Sequence, residues 1–318
     1  MNMYNDCIKA AGLRRWSEVR KWCRICLASA AVLMVASCSG RSSGGESDEG
    51  VPSLTVSIPP LEYFANAIGG DSLKVNVLLE TGADPETFQP GMGAMRALQK
   101  SGALAVTGVL PFERVLTEGI QSDSGVRVFD MSEGVELMYG THTHDGAAPE
   151  TSRDGEDVHD CHGAPDPHIW SSYKNARVMA RNMYDAIAGM APMHAGYYKR
   201  RYEELDKALA AADSVAATAL SGGRAFLIWH PALSYMARDY GMVQVAVNSE
   251  NKENSSQGLR RVMQRADSLQ PHAFIISPGT NSGSVRAVSA EVGIRPVEVD
   301  FLSADWEGHM KKIVDTLR

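Results

Sequence analysis

A chain of 318 residues, 44% hydrophobic and 22% charged, has the composition of a globular protein with one large or two modest domains. Its formal charge of −7 is unevenly distributed, because residues 1–38 carry a net charge of +4 and the remainder is acidic, near −11. This acidic body argues against a nucleic-acid partner and suits the attraction of cations.

The chain begins with a predicted export signal. The basic run RRWSEVRKWCR precedes ICLASAAVLMVASC, an apolar segment of signal-peptide length that is too short to span a bilayer. This segment ends in Val35-Ala36-Ser37-Cys38, which resembles the lipobox of bacterial lipoproteins. The resemblance implies that Cys38 is diacylated and becomes the first residue of the mature protein. A buried signal-anchor helix is the alternative interpretation of residues 1–38.

Residues 39–51 are predicted to form a flexible tether, because SGRSSGGESDEG contains no apolar side chain before Val51. Removal of the signal takes three of the five cysteines, and a fourth is the lipidated Cys38. Cys161 is then the remaining thiol, so no intramolecular disulfide can form. The folded part of the chain is expected to begin at residue 52.

Strands and helices alternate through residues 52–190, which we expect to form an N-terminal lobe. The first predicted strand is 54–58, and a helix bearing Tyr63, Phe64 and Ile68 follows it. The remaining predicted elements of this lobe are the strands LKVNVLLE, ALAVTG and VRVFDM and the helix AMRALQKSG. Such alternation is typical of an α/β layer with parallel strands.

Residues 191–221 predict a connecting helix of about 27 residues, about 40 Å long at 1.5 Å per residue. Residues 222–318 then repeat the alternation of strands and helices, with the strands RAFLI, VQVAVN, AFIISPG and PVEVDFLS. The sequence therefore predicts two similar α/β lobes with parallel sheets, joined by one long rigid helix.

A His-rich segment lies near the end of the first predicted lobe. Residues 141–170 contain five of the nine histidines together with Cys161. Imidazole and thiolate are zinc ligands, and a flexible loop can fold around a cation with such spacings. The alternative is a solvated linker whose histidines have no role. Oxidation outside the cytoplasm leaves the role of Cys161 open.

Two histidines, one of them at the end of this segment, and two carboxylates lie near the ends of predicted strands. His168 stands in DPHIW, His230 follows a buried strand in WHPALSY, Glu86 lies behind the second strand, and Asp300 ends the last one. Ligands of open α/β sheets bind beyond the carboxyl ends of strands, so these side chains are placed for an inter-lobe site. The four would form an N2O2 set suited to zinc. Each could instead be a satisfied histidine or a carboxylate that caps a turn.

The chain resembles the metal-binding lipoproteins of zinc and manganese ABC importers, the long-helix class of solute-binding proteins. The resemblance covers nearly everything after residue 52 and is carried by GADPETFQP, LPFER, DPHIW, HPALSYMARDYG and VDFLSADW. It implies two α/β lobes on one long helix, one metal in the cleft between them, and no catalysis. The implied partners are a membrane permease and its cytoplasmic ATPase, and we expect a monomer.

Carried over residue by residue, the resemblance implies that Glu86, His168, His230 and Asp300 are the metal ligands. The family's zinc-type motif has histidine where this chain has Glu86, and a carboxylate is a harder donor. Zn(II) is the favoured cargo, with Mn(II) or Fe(II) as alternatives. A water or a loop histidine in the place of Glu86 is a further alternative.

Zinc-type members of this family often have a His- and acid-rich insertion where residues 141–163 lie. The resemblance therefore implies an accessory metal-binding role for a set of loop side chains, namely His142, His144, His159, Cys161 and His162. The protein would be exported and anchored in a membrane, facing the periplasm or the cell exterior.

Two other functions share these features. An exported metallohydrolase could use the same ligands with one coordination position open for an activated water, although no general base is evident near either histidine. A metal-storing or adhesive lipoprotein without a transporter would have every one of these residues.

Overall fold

The structure is a computed structural model that describes residues 51–120, 125–139, 163–248 and 256–318. The predicted signal peptide with Cys38, the tether residues 39–50 and the loop side chains His142, His144, His159, Cys161 and His162 lie outside the described residues.

Two parallel four-stranded sheets form the framework of the described residues. The first sheet has the order β2-β1-β3-β4 and the second the order β6-β5-β7-β8, so the two share one topology. The strands are β1 Ser53–Val56, β2 Lys74–Val77, β3 Ala103–Val106, β4 Arg127–Asp130, β5 Ala225–Ile228, β6 Val243–Ala246, β7 Phe274–Ile276 and β8 Pro296–Glu298. Every pairing within the two sheets is parallel.

Helices connect these strands. In the described residues they are α1 Pro59–Gly69, α2 Met92–Ser101, α3 Pro111–Gly119, α4 Tyr173–Met190, α5 Ala195–Ala219, α6 Ser234–Tyr240, α7 Ser256–Leu269, α8 Ser282–Val292 and α9 Trp306–Leu317. The predicted fold class of two α/β lobes with parallel sheets and one long helix is confirmed. Helices α3 and α9 are absent from the predicted elements, although the buried side chains of α9 recur at helical spacing over its 12 residues.

Two of the central strands, β3 and β5, are apolar along their whole length because helices cover both faces of each sheet. All four residues of β3 and all four of β5 are buried. One apolar core continues through both lobes, since it includes Leu54 and Phe64 of the first as well as Phe226 and Trp306 of the second. A smaller core lies in the second lobe around Phe274.

The long helix α5 has 25 residues, about 37 Å at 1.5 Å per residue, and is bonded to both lobes. Near its start, Tyr198 Oη donates a hydrogen bond to the backbone oxygen of Ser72 (2.9 Å). Near its end, Asp213 accepts a hydrogen bond from Tyr240 (2.8 Å). This helix therefore fixes the spacing of the lobes. Within the described ranges, no helix combines the length and the apolar composition that a membrane span requires.

An antiparallel bridge lies just before the segment that carries His168. Tyr139 pairs with Pro165, and the backbone N–H of Asp166 donates to the oxygen of Met138 (2.8 Å). We call this pairing of residues 138–139 with 165–166 the neck. It fixes the backbone two residues before His168.

Candidate metal site

Three predicted ligands come together between the two sheets. His230 lies two residues beyond the carboxyl end of β5, and Glu86 lies in the loop between β2 and α2. His168 immediately precedes the 3-10 turn Ile169–Ser171 that leads towards α4. In the described part of the chain, Glu86, His168 and His230 are the one group of three or more potential ligands whose donor atoms lie within 4.8 Å of one another.

The separations of these donor atoms suit one small cation. His168 Nε2 lies 2.9 Å from His230 Nε2, and His230 Nε2 lies 3.6 Å from Glu86 Oε1. Tetrahedral zinc with bonds of about 2.0–2.1 Å places neighbouring ligand atoms about 3.3 Å apart. Adjustments of a few tenths of an ångström would therefore place all three on one ion. His168 is buried, whereas the side chains of His230 and Glu86 are partly exposed, so an ion would enter from their side.

Asp166 fixes the ring of His168. Its Oδ1 accepts a hydrogen bond from the backbone N–H of His168 (2.9 Å) and lies 2.9 Å from His168 Nδ1. Burial alone would raise the pKa of Asp166, but hydrogen bonds and charge interaction with His168 outweigh it and hold that pKa below its usual range. With Nδ1–H donating to a carboxylate, the lone pair of Nε2 faces the group of three, as a metal ligand requires.

The two imidazoles contact each other through the Nε2 atoms that would bind a shared metal ion. If His168 Nδ1 donates to Asp166, His168 Nε2 accepts, and His230 Nε2 must then supply the proton of the 2.9 Å contact. A cation bound by both Nε2 atoms replaces that proton. Metal binding therefore requires His230 to move its proton to Nδ1 or release it.

Asp300, the fourth predicted ligand, lies two residues beyond β8. The described group of three donor residues does not include it. Its Oδ1 accepts a hydrogen bond from the backbone N–H of Leu302 (2.9 Å), and its own N–H donates to His309 Nδ1 (3.2 Å). Asp300 also borders a small cavity of about 10 Å³, about the volume of one water, together with Trp170 and Trp306.

Sequence reasoning missed two residues that support the site. Asp166 stands in the Asp-Pro-His motif, and its position two residues before His168 was the available signal. Tyr235 Oη, in α6, donates a hydrogen bond to the backbone oxygen of Asp166 (2.8 Å) and accepts one from the backbone N–H of Met138 (3.3 Å). Burial raises the pKa of Tyr235 to about 12, so its hydroxyl stays protonated and can donate.

A third missed residue, Glu113, lies beneath the carboxyl end of the first sheet. It is buried near the start of α3 and accepts hydrogen bonds from the backbone N–H of Thr107 (2.8 Å), Gly108 (2.9 Å) and Leu110 (3.3 Å) and from Thr107 Oγ1 (2.6 Å). Burial raises the pKa of Glu113 although these hydrogen bonds oppose the shift. Glu113 thereby orders the loop that follows β3.

Comparison with known proteins agrees with this arrangement. The zinc-binding protein AdcA of Streptococcus pyogenes is 23% identical over 283 residues, covering 83% of this chain and 53% of that protein. The high-affinity zinc uptake system protein ZnuA of Bacillus subtilis is also 23% identical over 283 residues, with 87% of each chain covered. The chain spans about half the length of the AdcA relatives it matches.

Solved structures and a protein family match as well. A crystal structure of ZnuA superposes with a TM-score of 0.71 at 25% identity, over 84% of this chain and 100% of that one. The family described as "Zinc-uptake complex component A periplasmic" matches residues 54–318, which include all three residues of the group of three. The chain belongs to this family of periplasmic zinc-uptake components.

Proposed function

We propose that this protein is the exported receptor of an ABC importer, which captures a divalent metal and delivers it to the membrane permease. The observation that carries the proposal is the convergence of Glu86, His168 and His230, whose donor atoms lie within 4.8 Å of one another. Membership of a zinc-uptake family supports a receptor over a metallohydrolase.

Four protein ligands would complete the coordination of the cargo. Two imidazoles and one carboxylate already converge, and Asp300 is the fourth side chain that we assign to the site. Its carboxylate would have to exchange its hydrogen bond from Leu302 for the metal, which requires rotation of the Asp300 side chain. A closed shell of four protein ligands suits tight capture, whereas a hydrolase must keep one position for water.

Zn(II) is the favoured cargo because two imidazole nitrogens suit a borderline cation. The curated relatives AdcA and ZnuA are named for zinc. The carboxylates Glu86 and Asp300 leave Mn(II) and Fe(II) as alternatives, since oxygen donors suit harder ions.

Release of the cargo must be driven by the partner proteins. A tightly held ion leaves only if another interaction favours the open state of the site, and a ligand shifts an equilibrium by no more than its differential affinity. We assign this role to the permease, powered by its cytoplasmic ATPase. Residues 141–163, with their histidines and Cys161, are proposed as an accessory metal-binding loop.

We also propose a monomer, anchored to the membrane through a diacylated Cys38 and facing the periplasm or the cell exterior. Metabolic labelling with a tagged fatty acid tests the anchor. The wild-type protein should take up the label, and the Cys38→Ser variant should not.

The test of the cargo is a calorimetric titration of the metal-free protein with Zn(II), Mn(II) and Fe(II). We expect one tight zinc site that is lost in the double variant His168→Ala/His230→Ala. The matched control is His194→Ala, which removes an exposed histidine just before α5, outside the group of three, and should bind zinc as the wild type does. Deletion of residues 141–163 should remove only weaker additional sites.

A double variant that binds zinc at full affinity would contradict the cleft assignment and make the His-rich segment the principal site. Equal growth of cells with and without the gene in zinc-depleted medium would contradict the transport role.

A further inference from the structure

Two tryptophans exchange hydrogen bonds between the lobes. Trp170, in the 3-10 turn after His168, donates from Nε1 to the backbone oxygen of Phe301 (2.8 Å). Trp306, the first residue of α9, donates from Nε1 to the backbone oxygen of Trp170 (2.8 Å). We call this pair of bonds the indole exchange. It is reciprocal, because the first lobe supplies one donor and one acceptor and the second lobe does the same.

The indole exchange lies in a largely buried, aromatic environment. Trp170 is 2% exposed and Trp306 is 3% exposed. The ring of Trp306 lies 5.1 Å from that of Phe64 and 5.7 Å from that of Tyr173, both from the first lobe. Buried N–H and C=O groups cannot turn to water, so loss of either indole N–H leaves a carbonyl oxygen without that donor.

The hydrogen bond from Trp170 to Phe301 lies beside two of the proposed metal ligands. Trp170 lies two residues after His168, and its ring centroid is 5.4 Å from that of the histidine. Phe301 directly follows Asp300. The bond from Trp170 to Phe301 therefore joins the backbone beside a ligand from the first lobe to the backbone beside a ligand from the second.

We propose that Trp170 and Trp306 are positioning residues, whose indole N–H groups set the separation of His168 and Asp300. The inference rests on the proposed function, since this separation matters only if the two side chains share a metal. With the backbones joined, Asp300 reaches the ion by rotation of its side chain, and no large movement of the lobes is needed.

Replacement of each tryptophan by phenylalanine removes the N–H donor and keeps an aromatic ring. The matched control is Tyr198→Phe, which also removes a hydrogen bond from a buried aromatic residue to a backbone oxygen. Its acceptor, Ser72, precedes the amino end of β2, at the edge of the first sheet opposite the metal site. All three variants lose one bond of the same type, so they separate an effect on the metal from an effect on stability.

The experiment uses the full-length protein in detergent, stripped of metal and titrated with Zn(II) against a chelating indicator. We expect Trp170→Phe and Trp306→Phe to bind zinc roughly 10- to 100-fold more weakly than the wild type, the range seen for residues that orient metal ligands. Zinc should also dissociate faster from both. Tyr198→Phe should keep the wild-type affinity and dissociation rate while its melting temperature falls, although by less than in the tryptophan variants, which also lose part of a buried ring.

If both tryptophan variants bind zinc as tightly as Tyr198→Phe does, the positioning role is wrong. If the wild type binds no metal, or if His168→Ala/His230→Ala still binds it tightly, the proposed function fails, which is a separate result.

Hydrogen–deuterium exchange, measured at the indole N–H groups of the wild type, tests the proposal without any substitution. Saturating zinc should slow exchange at Trp170 and Trp306, because metal binding holds the two joined backbones together. Exchange that is equally fast with and without zinc would overturn it.

Discussion

The carboxylate of Asp166 contacts His168 twice, through the backbone N–H and through Nδ1, each at 2.9 Å. A single buried side chain thus fixes both the backbone and the ring of one proposed ligand. It also selects the tautomer whose Nε2 lone pair faces His230. Asp166 is fully buried, so water does not compete for these bonds.

We predict that Asp166→Asn lowers zinc affinity by roughly 10- to 100-fold, because a neutral amide leaves the imidazole less basic and less firmly oriented. Competition with a chelating indicator measures the change. Asp206→Asn is the control, since it removes an aspartate that pairs with Arg177 on the surface. Unchanged affinity in Asp166→Asn would show that the orientation of His168 does not limit binding.

Replacement of Glu86 by histidine should shift metal preference towards zinc. The substitution exchanges a hard oxygen for a borderline nitrogen and restores the histidine of the zinc-type motif. We expect the ratio of zinc to manganese affinity to rise by about tenfold, about 1.4 kcal/mol. Parallel titrations with the two metals measure it.

The companion variant Glu86→Gln keeps the size of the side chain and removes its charge. It should weaken binding of both metals. If Glu86→Gln binds both metals as the wild type does, Glu86 is not a ligand, and a water or another side chain takes its place.

Tyr235→Phe should destabilise the fold by about 1–3 kcal/mol, because the hydroxyl serves two backbone groups that are left unpaired. These are the oxygen of Asp166 and the N–H of Met138, on opposite sides of the neck. Urea unfolding measures the loss. Tyr184→Phe, in a ring pair with Tyr202 on the helix surface, should change stability far less. Equal losses in the two variants would contradict the role of Tyr235.

The raised pKa of Glu113 predicts that the stability of the fold depends on pH. Its folded-state pKa is raised by burial above an unfolded value of about 4.3, so the folded protein binds this proton more tightly. The contribution to stability is fully present below about pH 4.3 and is lost as the pH rises through the folded pKa. The free energy of unfolding of the wild type minus that of Glu113→Gln should therefore fall as the pH rises above about 4.3.

Urea titrations of both proteins across this range measure the difference, in which other titrating groups cancel. A difference that stays flat or rises with pH would show that burial does not raise the pKa of Glu113.

Much of the fold could be predicted because its signals are local. Runs such as Phe226 to Ile228 alternate with amphipathic helical segments, and this pattern indicates parallel α/β layers whatever the distant contacts are. Helices α3 and α9 are missing from the prediction although their buried apolar residues recur at helical spacing, so a signal for both was present in the sequence. The strand order also lies beyond such patterns, since pairing depends on contacts between residues far apart in sequence.

Part of the candidate site could also be predicted from the sequence, and part could not. His168 and His230 could be predicted because each stands in a distinctive motif at a turn, and the structure brings both together with Glu86. Asp300 stays a proposal. The indole exchange could not be predicted, because the acceptor of Trp170 lies 131 residues further along the chain and is a backbone oxygen with no sequence signature.

The neck has a consequence for how this chain can vary. Because Tyr139 and Pro165 are already paired, the fold does not specify how many residues join them. For loops in general, each doubling of length costs only about 0.6 kcal/mol in closure entropy. Insertions and deletions between these two residues are therefore nearly neutral for folding and leave His168 in place. The neck is therefore a point at which the sequence between Tyr139 and Pro165 can change in length while the backbone before His168 stays fixed.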